Sequence, residues 1–325
     1  MKKEKKMVLE VGENPVLLRD IIRHEITKNP VLVAEHGVNF YPLDENYLAG
    51  FAENYRRAYE RGDFYASRYL DPESQIFNPD WLKREATNPH HIWTVFIREG
   101  ELVGTTGLFY EDGAIVSDET QLDVAGRGFG TMKHFLRRIV PVLDNLGIDI
   151  AADFLLTPES KSLRTTLQAE YGMTALGIHP YELVHRKNGH RDSLISGRKY
   201  HNLRPQTPII MPQFERIYEI VANQLSLPQP QVLQVAPNLK FTPRFSQQYQ
   251  EVKIWGLNPI AQKRALAEGF SPLKYDPRLN TFTMAKFPKE KADLSFIASE
   301  NIPANTQLVE YLKTLYKRGE NYERT

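Results

Sequence analysis

The sequence predicts an α/β chain in two domains, and three observations lead there. Its 325 residues exceed the size at which a single hydrophobic core usually stops growing. A proline-rich stretch, LRPQTPIIMP (203–212), interrupts regular patterning part-way along. On both sides of it, β-rich runs alternate with runs whose apolar residues recur at helical spacing. The expected division is an N-terminal extension over 1–37, a first domain over 38–202 and a second over 203–325.

Composition narrows the class. A hydrophobic content of 41% and a charged content of 25% are ordinary for a globular chain. The net charge of +1 gives no push toward nucleic acid or an anionic membrane. There is no cysteine, which excludes disulfides, thiolate metal sites and a cysteine nucleophile, and fits a cytoplasmic protein. The basic start, MKKEKK, is not followed by a signal-length apolar run, and no membrane-length apolar segment occurs. The expectation is a cytoplasmic chain with no membrane partner.

The elements follow in order. Asn14-Pro15 opens a helix with Leu17, Leu18, Ile21, Ile22 and Ile26 on its apolar side. Residues 38–42 read as a strand, and 44–60 as a helix carrying Tyr47, Phe51, Tyr55 and Tyr59. The aromatic-rich segment 64–81 reads as a loop. Residues 91–110 (HIWTVFIREGELVGTTGLFY) form a hairpin about a Glu-Gly-Glu turn. His90 and His91 fall where neighbouring side chains point to opposite faces, with no Asp, Glu or His at ligand spacing, so no metal is expected.

Residues 114–147 (AIVSDETQLDVAGRGFGTMKHFLRRIVPVLDNLG) are the stretch on which the first domain turns. A strand runs into the AGRGFG break. From Thr131 a helix carries Met132, Phe135, Leu136, Ile139, Val140, Leu143 and Leu146 on one face, and Gly147 stops it. A strand that feeds a glycine turn opening a helix leaves backbone N–H groups unpaired at the helix start. The helix dipole adds partial positive charge there, so the turn suits an anion, phosphate best. The third spaced glycine of a dinucleotide fingerprint is missing. A strand (148–156), a helix from Thr157-Pro158 to about Gly172, and a strand pair (175–185 and 193–201) follow, joined by the basic loop HRKNGHR.

In this order of elements the chain resembles the GNAT superfamily of N-acetyltransferases over residues 38–202. RGFG (127–130) is similar to that family's coenzyme A pyrophosphate loop, and KSLRTTLQAEYGM (161–173) to its later helix. The resemblance implies a mixed, mostly antiparallel sheet flanked by helices, with acetyl-CoA or another acyl-CoA as co-substrate. It implies cofactor contacts from Leu122, Asp123, Val124, Arg127, Gly128, Phe129, Gly130 and Thr131. Two positions depart from the family pattern. Ala125 stands where Gln or Arg is usual, and Gln168 where a catalytic Tyr is frequent.

Acyl transfer from a thioester to an amine requires a base for the amine, N–H donors for the oxyanion and an acid for the leaving thiolate. Asp118 and Glu119 lie on the strand ahead of the turn. Their side chains alternate, so at most one faces an acceptor, and Glu119 is favoured as base. Backbone N–H groups of residues 122–124 are expected to hold the thioester carbonyl. Tyr171 is the nearest hydroxyl for the acid, three positions beyond Gln168, with Tyr181 or water as alternatives. The function expected is an acyl-CoA-dependent N-acyltransferase acting on a small-molecule amine. A Fem-type tandem transferase using aminoacyl-tRNA and a non-catalytic CoA-binding sensor are the alternatives. The acceptor stays unidentified and a homodimer stays open.

The second half returns to the first. A helix over 213–225 presents Phe214, Ile217, Val221 and Leu225 on one face. EVKIWGLNPIAQKRALAEGF then reads as a strand and a helix capped by Asn258-Pro259 and stopped by Gly269. GMTALGIHP from Gly172 and GFSPLKYDP from Gly269 are alike at an offset of 97. The simplest account is a second, partial GNAT-like domain that lacks a phosphate turn. A strand (281–286) and a helix (306–317) close the chain.

Overall fold

The computed structural model describes residues 14–28, 37–60, 64–65, 74–111, 113–127, 130–155, 164–186, 191–233, 243–244, 246, 249–286 and 302–323. They fall into two compact units that interleave in sequence. Unit 1 takes Met1–Asp153, Leu183–Lys187 and Lys199–His201, and unit 2 takes Phe154–Glu182, Asn188–Arg198 and Asn202–Thr325.

In unit 1, Asn14 starts helix α1 (Pro15–Thr27), its Oδ1 accepting the Leu17 N–H at 3.1 Å. Leu18, Ile22 and Ile26 are buried, but Leu17, expected beside them, is 41% exposed. One residue is a rotation of about 100°, which carries Leu17 off the buried stripe. Strand β1 (Val38–Pro42) leads through a 3-10 turn into α2 (Leu48–Glu60), where Phe51 and Tyr55 are buried. Strand β2 (Phe64–Tyr65) is followed by a helix not foreseen from the sequence, α3 (Pro79–Thr87). It uses the same device as α1: Asn78 Oδ1 accepts from the Asp80 and Trp81 N–H groups, and Pro79 begins the helix.

Strands β3 (His91–Arg98) and β4 (Glu101–Glu111) form the expected hairpin. Its two turn residues, Glu99 and Gly100, have φ of 53° and 86°, as a tight two-residue hairpin loop needs. Strand β5 (Ala114–Leu122), helix α4 (Thr131–Leu146) and strand β6 (Asp149–Leu155) complete the unit. The sheet order is β1-β3-β4-β5-β6, antiparallel except for the parallel pair β5–β6. Phe40 and Phe96 meet Phe135 of α4 on one face, at 5.6 and 5.7 Å between ring centroids. Trp93, an odd number of positions from Phe96, meets Phe51 of α2 on the other face. The mixed, mostly antiparallel sheet flanked by helices is therefore present.

Unit 2 opens with a helical turn at Arg164 that widens into a π stretch, Thr166–Glu170. The start expected for it at Thr157 lies outside the described residues. Strands β7 (Thr174–Arg186) and β8 (Arg191–Lys199) follow, then β9 (Ile209–Ile210), α5 (Glu215–Leu225) and β10 (Gln231–Val232). The chain continues as β11 (Gln250–Trp255), α6 (Pro259–Ala267), β12 (Ser271–Asp276), β13 (Thr281–Lys286) and α7 (Pro303–Glu323). Helix α7 is longer at both ends than the expected 306–317. The sheet order is β8-β7-β12-β13-β11. Its core is aromatic: Phe214 meets Phe282 at 4.9 Å, and Tyr275 stacks on Phe282 at 4.5 Å. Among the described residues no helix is long and apolar enough to cross a membrane.

Candidate active site

The candidate site begins where β5 stops being a regular strand. Its pairing with β4 runs Thr105–Gln121 and then Gly107–Asp118, so Glu119 and Thr120 stand opposite Thr106 alone. This is a β-bulge, and it leaves the backbone of one residue outside the ladder. It also breaks the alternation of side chains: the Thr120 hydroxyl lies 2.8 Å from that of Thr106 and 3.5 Å from that of Ser117. The parallel pairing with β6 ends at Ser117–Ala152, while β5 runs on to Leu122. Carboxyl ends of parallel strands are where α/β sheets commonly bind ligands.

After Leu122 the chain folds tightly through a 3-10 turn, Val124–Gly126. The Asp123 N–H donates to Val103 O at 3.0 Å, and the Gly126 N–H to Asp123 O at 2.9 Å. A Cβ on Gly126 would sit 2.6 Å from Val103 O, so glycine is required there. Arg127 Nε donates to Leu122 O, the Thr131 hydroxyl to Gly126 O, and Arg98 to Ala125 O. Helix α4 then starts at Gly130 with φ of 65°, with no side-chain cap and no acidic residue in its first turn. Arg98, Arg127, Lys133 and His134 border this start in sequence or by contact. An uncapped helix start among basic side chains favours an anion.

The residues singled out in the sequence divide as follows. Leu122, Asp123, Arg127, Gly130 and Thr131 come together in this turn. Gly128 and Phe129, and the side chains of Asp118, Glu119, Val124 and Tyr181, lie outside the described residues. Asp123 has a role the sequence did not suggest. Its N–H is taken by Val103, so it is not a donor for a carbonyl. Its carboxylate is buried, with Oδ2 3.0 Å from Arg57 Nε of α2. Arg57 also donates to Leu102 O at 2.8 Å, so the pair ties the turn to α2 and β4.

Tyr171 belongs to unit 2, half-buried at the end of the π stretch. Gln168 is engaged in a reciprocal amide pair. Its Nε2 donates to Asn305 Oδ1 at 2.9 Å, and Asn305 Nδ2 donates to Gln168 Oε1 at 2.8 Å. Asn305 of α7 is fully buried. Arg164, at the head of the same helical segment, is also buried, and desolvation pushes its pKa down to about 10. It is still a cation at neutral pH.

His91 does have a carboxylate partner, contrary to the spacing argument. Glu85 of α3 contacts its Nδ1 and also accepts from Trp93 Nε1 and Asn88 Nδ2. The partner was missed because α3 was.

No family model matches the chain, and no curated protein matches it. Solved structures do. An acetyltransferase of the GNAT family from Streptococcus pneumoniae is 11% identical and covers 50% of this chain and 98% of its own, with a TM-score of 0.40. A Salmonella typhimurium protein solved with its cofactor acetyl-CoA is 16% identical over 50% of this chain and 94% of its own, with a TM-score of 0.38. The PaiA N-acetyltransferase of Thermoplasma acidophilum, in complex with coenzyme A, is 14% identical over 50% and 99%, with a TM-score of 0.37. These three are acetyltransferases, and each spans about half of this chain.

Proposed function

We propose that this chain is an acyl-CoA-dependent N-acyltransferase that uses acetyl-CoA and acts on a small-molecule amine. The observation that carries the reading is the start of α4: a left-handed glycine, no side-chain cap, no acid in the first turn and basic side chains around it. In this reading the turn from Arg127 to Thr131 takes the pyrophosphate of the coenzyme. The bulge at Glu119–Thr120 supplies the backbone N–H for the thioester carbonyl, in place of Asp123. Glu119 is the base that deprotonates the amine. The amine nitrogen then attacks the thioester carbon, the C–S bond breaks, and the leaving thiolate takes a proton from water.

Thiol release from acetyl-CoA, measured against a panel of small amines, tests the proposal together with calorimetric CoA binding. A chain that binds no CoA would overturn it. A chain that binds CoA and releases no thiol with any amine would be a sensor, a reading that the locked Gln168 favours.

We also propose that residues 203–325 carry a partial repeat of the first domain. The succession β11, α6, β12, β13 reproduces β6, the helical segment 164–170, β7 and β8. Gly172 and Gly269, 97 apart, both take positive φ, 67° and 90°. Gly177 of β7 faces Lys274 of β12 in antiparallel register, and these too are 97 apart. Equivalent residues meeting antiparallel is the contact that a two-fold relation between repeats produces. Only the first repeat has a glycine-rich phosphate turn, so one CoA per chain is expected. Two would mean that the second repeat binds it as well.

A further inference from the structure

Unit 2 has a cleft of about 350 Å³ between the start of α5 and the middle of α7. That is the small end of ligand pockets, roughly 300–1,000 Å³. Pro212, Gln213 and Arg216 line it from one side, and Tyr311, Leu315 and Arg318 from the other. The last three are spaced four and three apart, so one face of α7 forms the wall.

The polar groups in the cleft are of two kinds. Two guanidinium groups call for an anion. Arg318 has no ion pair among the described residues, and Arg216 reaches Glu219 only at 3.6 Å, with both side chains half exposed. Opposed to them are acceptors. Gln213 Oε1 is buried with no hydrogen-bond partner among the described residues. The Glu310 carboxylate faces the cleft and is held by Lys313 at 2.8 Å. The Tyr311 hydroxyl is already committed, donating to Pro272 O at 2.7 Å, so Tyr311 offers the cleft its ring. The Glu310 carboxylate is the acceptor on the cleft surface, whereas Gln213 Oε1 has almost no accessible surface and lies behind the wall.

A ligand matching this set carries a carboxylate and an ammonium on one small framework, with an apolar portion. We propose that the cleft binds a free α-amino acid. Its carboxylate sits on Arg318 and Arg216, its ammonium on Glu310, and its side chain on Tyr311 and Leu315. The site lies wholly within unit 2 and does not depend on the acyltransferase reading.

The test uses the full chain. Each of the twenty standard L-amino acids, at about 10 mM, is screened for a rise in unfolding temperature. The strongest is then titrated by calorimetry beside its des-amino carboxylic acid and its decarboxylated amine. Saturable binding of the amino acid is expected, with each one-charge analogue at least roughly tenfold weaker. Arg318→Gln should weaken the amino acid by a similar factor without lowering the unfolding temperature of the unliganded chain. Glu310→Gln should weaken the amino acid and leave the des-amino acid unchanged. The proposal fails if no amino acid binds, if the des-amino acid binds as well as its parent, or if Arg318→Gln binds with unchanged affinity. The second outcome would leave a simple anion site.

Discussion

Helices α4 and α6 both follow a strand and a short turn, yet their starts are opposites. At α6, Asn258 Oδ1 accepts the Ala261 N–H at 3.0 Å, and Pro259 has no N–H to satisfy. The turn itself is pinned, since Gly256 is packed so closely on Asn280 that a Cβ would sit 2.3 Å from its Oδ1. At α4 the residue in the capping position is Gly130, in a left-handed conformation with no side chain to offer. One start is closed by the chain's own atoms, and the other presents its donors. An asparagine or a glycine at one position decides whether a helix start is structural or receptive.

The largest effect is expected from the residue that would use what the open start holds. Glu119→Gln should lower acyl transfer by roughly 10²–10⁴-fold, with CoA affinity unchanged. An unchanged rate between about pH 6 and 9 would move the role of base to Asp118 or water.

Closing the open start comes next. Gly130→Asp puts a carboxylate where the phosphate is proposed to lie, and Asp tolerates the left-handed conformation better than most residues. CoA affinity should fall by about 10²-fold or more, read by calorimetry, while Asn258→Asp leaves it alone. If the two variants bind CoA equally, the distinction between the starts has no functional meaning.

A smaller effect separates the helical segments behind the two starts. Gln168 is locked to Asn305, whereas Ala265, its counterpart at the offset of 97, is simply buried. Asn305→Leu leaves the Gln168 amide unpaired and should cost about 1–3 kcal/mol in denaturant unfolding. Adding Gln168→Leu should recover much of that loss. A double variant as unstable as the sum of both singles would mean the amide pair is not the interaction that matters. The smallest effect is expected at the closed start: Asn258→Ala should cost about 1 kcal/mol of stability, with CoA affinity unchanged.

Much of the fold was legible because its signals are local. Asn14-Pro15 and Asn258-Pro259 announced helices from adjacent residues, and Gly147 and Gly269 announced stops through the φ they permit. Asn78-Pro79 carries the same signal. It lies inside an aromatic-rich segment without a clear period, and the helix it opens carries Glu85, the partner of His91.

The candidate site was legible only in outline. RGFG marks the turn, but the bulge at Glu119–Thr120 exists only relative to Thr106 on the neighbouring strand. Whether Asp123 serves a ligand or the fold depended on Arg57, brought to it by the packing of α2.

The sequence by itself therefore determined where helices start and stop, where the chain reverses, and that one helix start is left without a cap. Each of these closes within a few residues and follows from the chemistry of neighbours. Tertiary structure alone decided that Asp123 is buried against an arginine and that Gln168 is paired with an asparagine 137 residues away. Such contacts join groups that share no local period. They form only when the packing of whole elements brings two buried polar atoms together and makes leaving either one unpaired too costly.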